Sequence, residues 1–203
     1  MKLGSMLVVL ATSATLLCGP GFAQGPSSVR VRGQIVAVSD TILTVQQRSN
    51  GGVVKIALKP DQAVGSLRNI AIADIKVGSY IGTATKTNPE GQLIAMEVVV
   101  LPESARGSGE GHYEWDLAPG SMMTNGNVDN VVEGVNGRTL KISYKGGTKE
   151  VTVPEGIPVV TPAPASRADL LVGKKVFAFA QGDPESLSAN RITVEKDGVA
   201  PPM

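Results

Sequence analysis

Residues 74–78 read Asp-Ile-Lys-Val-Gly, and residues 169–173 read Asp-Leu-Leu-Val-Gly, 95 positions later. Further segments match in the same order at offsets of 93 to 97 positions. They join residues 33–35 to 126–128, 43–45 to 140–142, 88–90 to 183–185, and 93–100 to 187–194. Five matches in one order predict two copies of a single unit, because chance seldom repeats a whole series.

Each copy consists of short apolar stretches separated by turn signals. In the first copy, strands are predicted over residues 30–38, 42–46, 54–58, 80–86 and 93–101. The turn at residues 50–52, Asn-Gly-Gly, favours a hairpin because these residues tolerate a positive φ. The spacing of apolar residues over 66–75 predicts a short helix or 3₁₀ turn that Gly78 would end. In the second copy, Ser166 is the expected N-cap of the equivalent turn over 167–172.

Five strands with a short helix or turn between the third and fourth are typical of an OB-type barrel. The fold class predicted is therefore all-β, with two tandem small OB-like β-barrels at residues 29–101 and 121–197. A tail at 24–28, a linker or strap at 102–120 and a tail at 198–203 complete the predicted organisation. The order rests on pattern alone, so another small barrel or an open sandwich stays open.

The repeated pattern also allows a comparison with a known family. Gly-x-Ile/Val, Leu-x-Val/Ile, Asp-x-x-Val-Gly and Ala-x-x-Val/Ile-x-Val occur in that order in both copies. This pattern resembles a bacterial exported OB-like repeat family that is known only as a domain of unknown function. The resemblance implies an OB-like barrel and export. It implies no catalytic or binding residue, since its signature positions are core and turn positions.

The first 23 residues have the three parts of a secretory signal peptide. Lys2 supplies a positive charge, an apolar run reaches Cys18, and small residues precede a cut after Ala23. The apolar run is too short to span a bilayer, and no later stretch is apolar for eighteen residues. A lipoprotein with Cys18 as the lipidated residue is the alternative. The prediction is a periplasmic or secreted protein with no transmembrane span after signal removal.

The amino-acid composition argues against several classes of function for the processed chain. Cys18 is the one cysteine, so processing leaves no thiol, disulfide or thiolate ligand. The chain has 19 Lys and Arg against 18 Asp and Glu, and loss of Lys2 leaves a net charge of zero. With few aromatic residues and no basic excess, nucleic acid is not an expected ligand. No cofactor is predicted.

The segment 102–120 lacks the alternation of apolar strands and turns that the rest of the processed chain shows. Its first half has the Gly/Ser composition of a flexible linker. Its second half holds the single histidine, His112, and the single tryptophan, Trp115, with Tyr113, Glu114 and Asp116 beside them. In an extended segment, Tyr113 and Trp115 share one side. The favoured interpretation is a strap whose aromatic rings pack across the two barrels while its acidic residues face the first.

The same five residues, His112 to Asp116, are the candidate ligand-binding site. His112, Glu114 and Asp116 would lie on one side of the strand, where they would ligate a divalent metal. One nitrogen ligand with carboxylates is a poor zinc set. Trp115 would be the first contact of an oligosaccharide. Burial of Trp115 would favour an architectural strap, and exposure beside a cleft would favour a site.

No known catalytic constellation occurs in the sequence, so enzymatic activity is not expected and stays uncertain. The processed chain lacks a cysteine nucleophile and a Gly-x-Ser-x-Gly elbow. We expect a non-enzymatic envelope or periplasmic module that binds an unidentified envelope protein or small ligand through the strap and the cleft between barrels. The alternative is a periplasmic metal- or glycan-binding protein that uses residues 112–116.

Overall fold

A computed structural model describes residues 28–135 and 137–202 of the chain. The predicted signal peptide at 1–23 lies outside these residues, as does nearly all of the tail at 24–28. β-Strand is the main secondary structure at 61%, and three short 3₁₀ turns lie at Ile72–Asp74, Glu103–Ala105 and Arg167–Asp169. They contain no helix of the length and apolar character that crossing a membrane requires. The all-β fold class is confirmed.

Thirteen strands follow one another along the described residues. The first six are β1 (Ser28–Val38), β2 (Ile42–Gln47), β3 (Val53–Ala57), β4 (Ala63–Asn69), β5 (Tyr80–Thr87) and β6 (Leu93–Leu101). The others are β7 (Gly111–Trp115), β8 (Ser121–Gly134), β9 (Gly137–Tyr144), β10 (Gly147–Pro154), β11 (Val159–Pro164), β12 (Lys175–Asp183) and β13 (Ser186–Val194).

The strand pairings close two five-stranded rings. In the first ring, β1 pairs with β2, β2 with β3, β3 with β13, β13 with β12, and β12 again with β1. In the second ring, β8 pairs with β9, β9 with β10, β10 with β6, β6 with β5, and β5 with β8. Each ring therefore combines three strands from one predicted copy with the last hairpin of the other.

The prediction of two tandem OB-like barrels at 29–101 and 121–197 is consequently not confirmed. The reason lies in two strands that the sequence analysis did not predict. After β3 and after β10 the chain does not turn back into its own ring, because β4 and β11 are extended crossovers. They pair antiparallel with each other, while β4 also pairs with β13 and β11 with β6. Seven residues of strand carry β4 roughly 23 Å.

Equivalent positions of the two predicted copies occupy equivalent places in the two rings. Ile56 of β3 lies opposite Leu187 of β13, and Val151 of β10 lies opposite Leu93 of β6. These four positions are related by the offsets of 94 and 95 found in the sequence. The exchange of hairpins therefore preserves the pairing register.

Each ring encloses its own apolar core. The first core is drawn from β1, β2, β3, β12 and β13 and includes Val31, Ile35, Leu43, Val45, Ile56, Val176, Leu187, Ile192 and Val194. The second is drawn from β5, β6, β8, β9, β10 and β11 and includes Ile81, Ala95, Val98, Val128, Leu140, Ile142, Val151, Val153 and Val159. Burial of these side chains is the main stabilising contribution to both rings.

The repeated glycine of the Gly-x-Ile/Val pattern marks a close approach of two backbones. A Cβ atom on Gly33 would collide with the carbonyl oxygen of Gln46, and one on Gly126 would collide with that of Ser143. At each site the pairing of the two strands shifts its register within a few residues of the glycine. A side chain larger than hydrogen does not fit there.

The repeated aspartate of the Asp-x-x-Val-Gly pattern closes a 3₁₀ turn. The backbone N–H of Ala71 donates to Asp74 Oδ2 at 3.0 Å, and that of Ser166 donates to Asp169 Oδ2 at 2.8 Å. Ser166 thus holds the predicted N-cap position, although the turn it begins is shorter than the predicted 167–172. Gly78 follows with φ of +86°, a conformation that glycine adopts without strain.

Candidate functional site

The strap joins both rings. Its strand β7 pairs antiparallel with β8 of the second ring, so that His112 lies opposite Thr124 and Trp115 opposite Ser121. The half predicted as a flexible linker makes side-chain contacts. Arg106 donates to the Glu103 carboxylate at 2.6 Å, and the Gly109 carbonyl accepts a hydrogen bond from the side chain of Asn125.

Trp115 carries the contact between the strap and the first ring. The guanidinium carbons of Arg30 and Arg32 lie 4.2 and 5.0 Å from the centre of its ring. The ring of Phe179 on β12 lies 6.2 Å away, and that of Tyr113 lies at the same distance along the strap. Stacked guanidinium groups are favourable partners of an indole face. The half-buried Trp115 thus packs against the first ring while β7 belongs to the sheet of the second.

Asp116 extends this contact by an ion pair with β1. Its Oδ1 atom lies 2.7 Å from Arg32 Nη1 and 3.5 Å from Arg30 Nη1. The strap's other acidic residues do not reach β1 in the same way. Glu103 pairs with Arg106, and Glu110 accepts a hydrogen bond from the Lys145 backbone in the second copy. Asp116 is therefore the acidic residue of the strap that is seen to face the first copy, as expected.

His112 lies on the second ring, away from this contact. Its Nδ1 atom is 2.9 Å from Thr124 Oγ1, and its ring stacks on Tyr144 with centres 6.2 Å apart. Burial lowers the pKa of His112, and the charge of Lys149 lowers it further. Within the described residues, no group of three His, Cys, Asp or Glu side chains is placed to hold a metal. The structure does not bring His112, Glu114 and Asp116 together as a metal site.

The sequence analysis missed a buried carboxyl group beside Arg32. Glu97 on β6 is 6% exposed, and burial raises its pKa from an ordinary 4.5 to about 7, an effect that the charge of Arg32 opposes. Arg32 is itself 9% exposed, and burial lowers its pKa. The available signal was a single charged residue within the apolar sequence of residues 93–101.

A cleft opens where β1, the end of β2 and the strap meet. We call it the arginine cleft; it is lined by Arg30, Arg32, Arg48, Ser49, Asp116 and Leu117 and has a volume of about 130 Å³. Among the described residues, the Nε atom of Arg32 has no hydrogen-bond partner although it is buried. A buried donor without an acceptor is costly. Arg32 borders the cleft.

A second cleft, of about 280 Å³, lies on the outer surface of β12 and β13. Its lining residues are Phe179, Gln181, Ser188, Asn190 and Arg191. Phe179 connects the two regions, since its ring lies 6.2 Å from Trp115 and 5.0 Å from Phe177. Phe179 is 51% exposed, so an apolar surface continues from the strap onto β12.

The geometry gives the five predicted site residues different surroundings. Trp115 and Asp116 adjoin the arginines of the first ring. Tyr113 contacts Trp115 and accepts a hydrogen bond from Asn125 of β8. His112 packs on the second ring, and Glu114 is exposed. Comparison of the chain with protein-family models, curated proteins and solved structures finds no match.

Proposed function

We propose that the protein is an exported, non-enzymatic module of the cell envelope that binds carboxylate groups of a partner or ligand in the arginine cleft. The signal-like segment at 1–23 supports export to the periplasm or beyond. The absence of a nucleophilic-catalysis motif from the sequence supports a binding role. The fold is compatible with two OB-like barrels that have exchanged their last hairpins, and we propose that the two copies arose by duplication.

One observation carries the binding proposal. The arginine cleft is lined by guanidinium groups, and the buried Nε atom of Arg32 has no acceptor among the described residues. Guanidinium groups bind carboxylates through paired, charge-assisted hydrogen bonds. Trp115 lies against two of the three arginines, so a ligand that moves them changes the surroundings of the single tryptophan.

Titration of the processed protein with a capped hexapeptide, Glu-Thr-Glu-Thr-Glu-Thr, tests this proposal. We expect a saturable change in tryptophan fluorescence that weakens as salt is added, because the contact is ionic. Arg30→Ala is expected to weaken binding about tenfold, the cost of one charge-assisted hydrogen bond. The matched control is Arg68→Ala, which removes an exposed arginine of β4 that does not line the cleft.

Two results would contradict the proposal. The first is the absence of any saturable signal, and the second is equal binding by the wild type and Arg30→Ala. A lysine counterpart of the peptide, with Lys at each Glu position, is expected not to bind.

A further inference from the structure

At Arg30, one edge of β1 pairs with β12, and the opposite edge faces away from β12. Along β1, residues alternate in the direction of their backbone N–H and C=O groups. The carbonyl of Arg32 accepts from the Arg48 N–H at 2.9 Å on the β2 side, whereas Ile35 bonds to Lys174 on the β12 side. Arg30 has the same parity as Arg32, so its N–H and C=O groups point toward the β2 side. Pairing with β2 begins only at Gly33.

The second ring shows what occupies the equivalent edge. Met123 of β8 corresponds to Arg30 at the offset of 93 and lies opposite Ala84 of β5, as Arg30 lies opposite Phe179 of β12. On its other side Met123 pairs with Tyr113 of β7. No described strand pairs with that side of Arg30. The chain thus seats a five-residue strand on one of two equivalent edges.

Charge indicates what kind of strand fits the edge of β1. Arg30 and Arg32 project from the outer face of β1 beside this edge, and they line the arginine cleft with Arg48. Antiparallel pairing of two copies through this edge would bring the arginines of both copies together, which repulsion opposes. An extended segment with acidic residues would instead pair with them. Strand addition at an exposed edge is an established mode of peptide recognition.

We propose that β1 binds an extended acidic segment of a partner protein as an added strand, in the position that β7 occupies on β8. The backbone of Arg30 donates and accepts the hydrogen bonds, and the arginine cleft receives the acidic side chains. This inference rests on the proposed function, because it names the partner class and binding mode of the same cleft.

A pair of variants at one residue separates backbone from side-chain recognition. Arg30→Ala and Arg30→Pro both remove the guanidinium group, but only Arg30→Pro removes the N–H that faces the edge. Proline is tolerated in an edge strand where the N–H has no partner. With the Glu-Thr hexapeptide, we expect Arg30→Pro to bind at least fivefold more weakly than Arg30→Ala. Equal affinities would overturn strand addition and leave the carboxylate site intact.

Two N-methylated forms of the hexapeptide provide a test that needs no variant of the protein. One form carries N-methyl groups on its Glu residues, and the other carries them on its Thr residues. A peptide that pairs as a strand directs alternate N–H groups to its neighbour, so one form is expected to bind at least tenfold more weakly than the other. Equal affinities of the two forms would contradict strand addition. If the unmethylated peptide does not bind at all, that result would contradict the proposed function as well.

Discussion

If the chain is cut between Gly107 and Ser108, we expect that neither half folds by itself. The N-terminal half contains β1, β2 and β3 but lacks the β12 and β13 strands that close their ring. Without that hairpin, the first core loses Val176, Ile192 and Val194 and exposes the apolar residues that remain. Far-UV circular dichroism and amide NMR spectra of each half would show an unfolded or aggregating chain.

The same experiment has a positive arm. Mixed in equal amounts, the halves are expected to form a 1:1 complex with the spectrum of the intact protein, because the rings are closed by pairing and not by the connecting peptide. Size-exclusion chromatography with light scattering gives the stoichiometry. Cooperative unfolding of either half as a monomer would mean that each copy closes its own barrel.

Glu97 is expected to make the protein less stable as the pH rises. Its folded-state pKa is about 7, raised from 4.5 chiefly by burial, so the folded state holds a proton that the unfolded state has released between these values. The contribution of Glu97 to the free energy of unfolding is therefore greatest below pH 4.5 and falls as the pH rises through this window. At about 1.4 kcal/mol per pH unit, the effect is on the order of 3 kcal/mol.

The Glu97→Gln variant isolates this effect. An amide resembles the protonated carboxyl group, so the variant is expected to unfold with a free energy about 2–3 kcal/mol higher than the wild type at pH 8. At pH 4.5 the difference is expected to vanish. Urea denaturation at both pH values measures it, and Glu90→Gln, which changes an exposed glutamate in a turn, is the control. A wild type that is the more stable protein at pH 8 would refute the assignment.

Local features of the fold could be predicted from the sequence because neighbouring residues determine them. The hairpin at residues 50–52 and the turn at Ser166 follow from residues that adopt positive φ or cap a turn. The alternation at Tyr113 and Trp115 predicted an extended segment, and these residues lie in the strand β7. Each of these predictions depends on contacts within a few residues.

The partner of each hairpin could not be predicted in this way. Leu93 and Leu187 are equivalent positions, and each packs against the core of its own ring, so the apolar pattern is the same for closure within a copy or between copies. What decides is the extended path of β4 and β11, whose mutual pairing joins residues about 95 positions apart. Likewise, Arg32 and Asp116 are 84 positions apart, and no local pattern links them.

The central claim is that each ring takes its last hairpin from the other copy, and a disulfide between β1 and β12 tests it most directly. Gln34 lies opposite Lys175 in a pair whose backbone groups point away from each other, which suits a disulfide. The processed chain has no cysteine of its own.

We predict that the Gln34→Cys, Lys175→Cys variant oxidises to a monomer with one disulfide, identified by mass spectrometry of its peptides. The comparison variant is Ala57→Cys, Ile94→Cys, because Ile94 is the counterpart of Ser188, which lies opposite Ala57 in the strand register. That second pair should stay reduced. A disulfide between positions 57 and 94, with free thiols at 34 and 175, would show that each copy closes on itself.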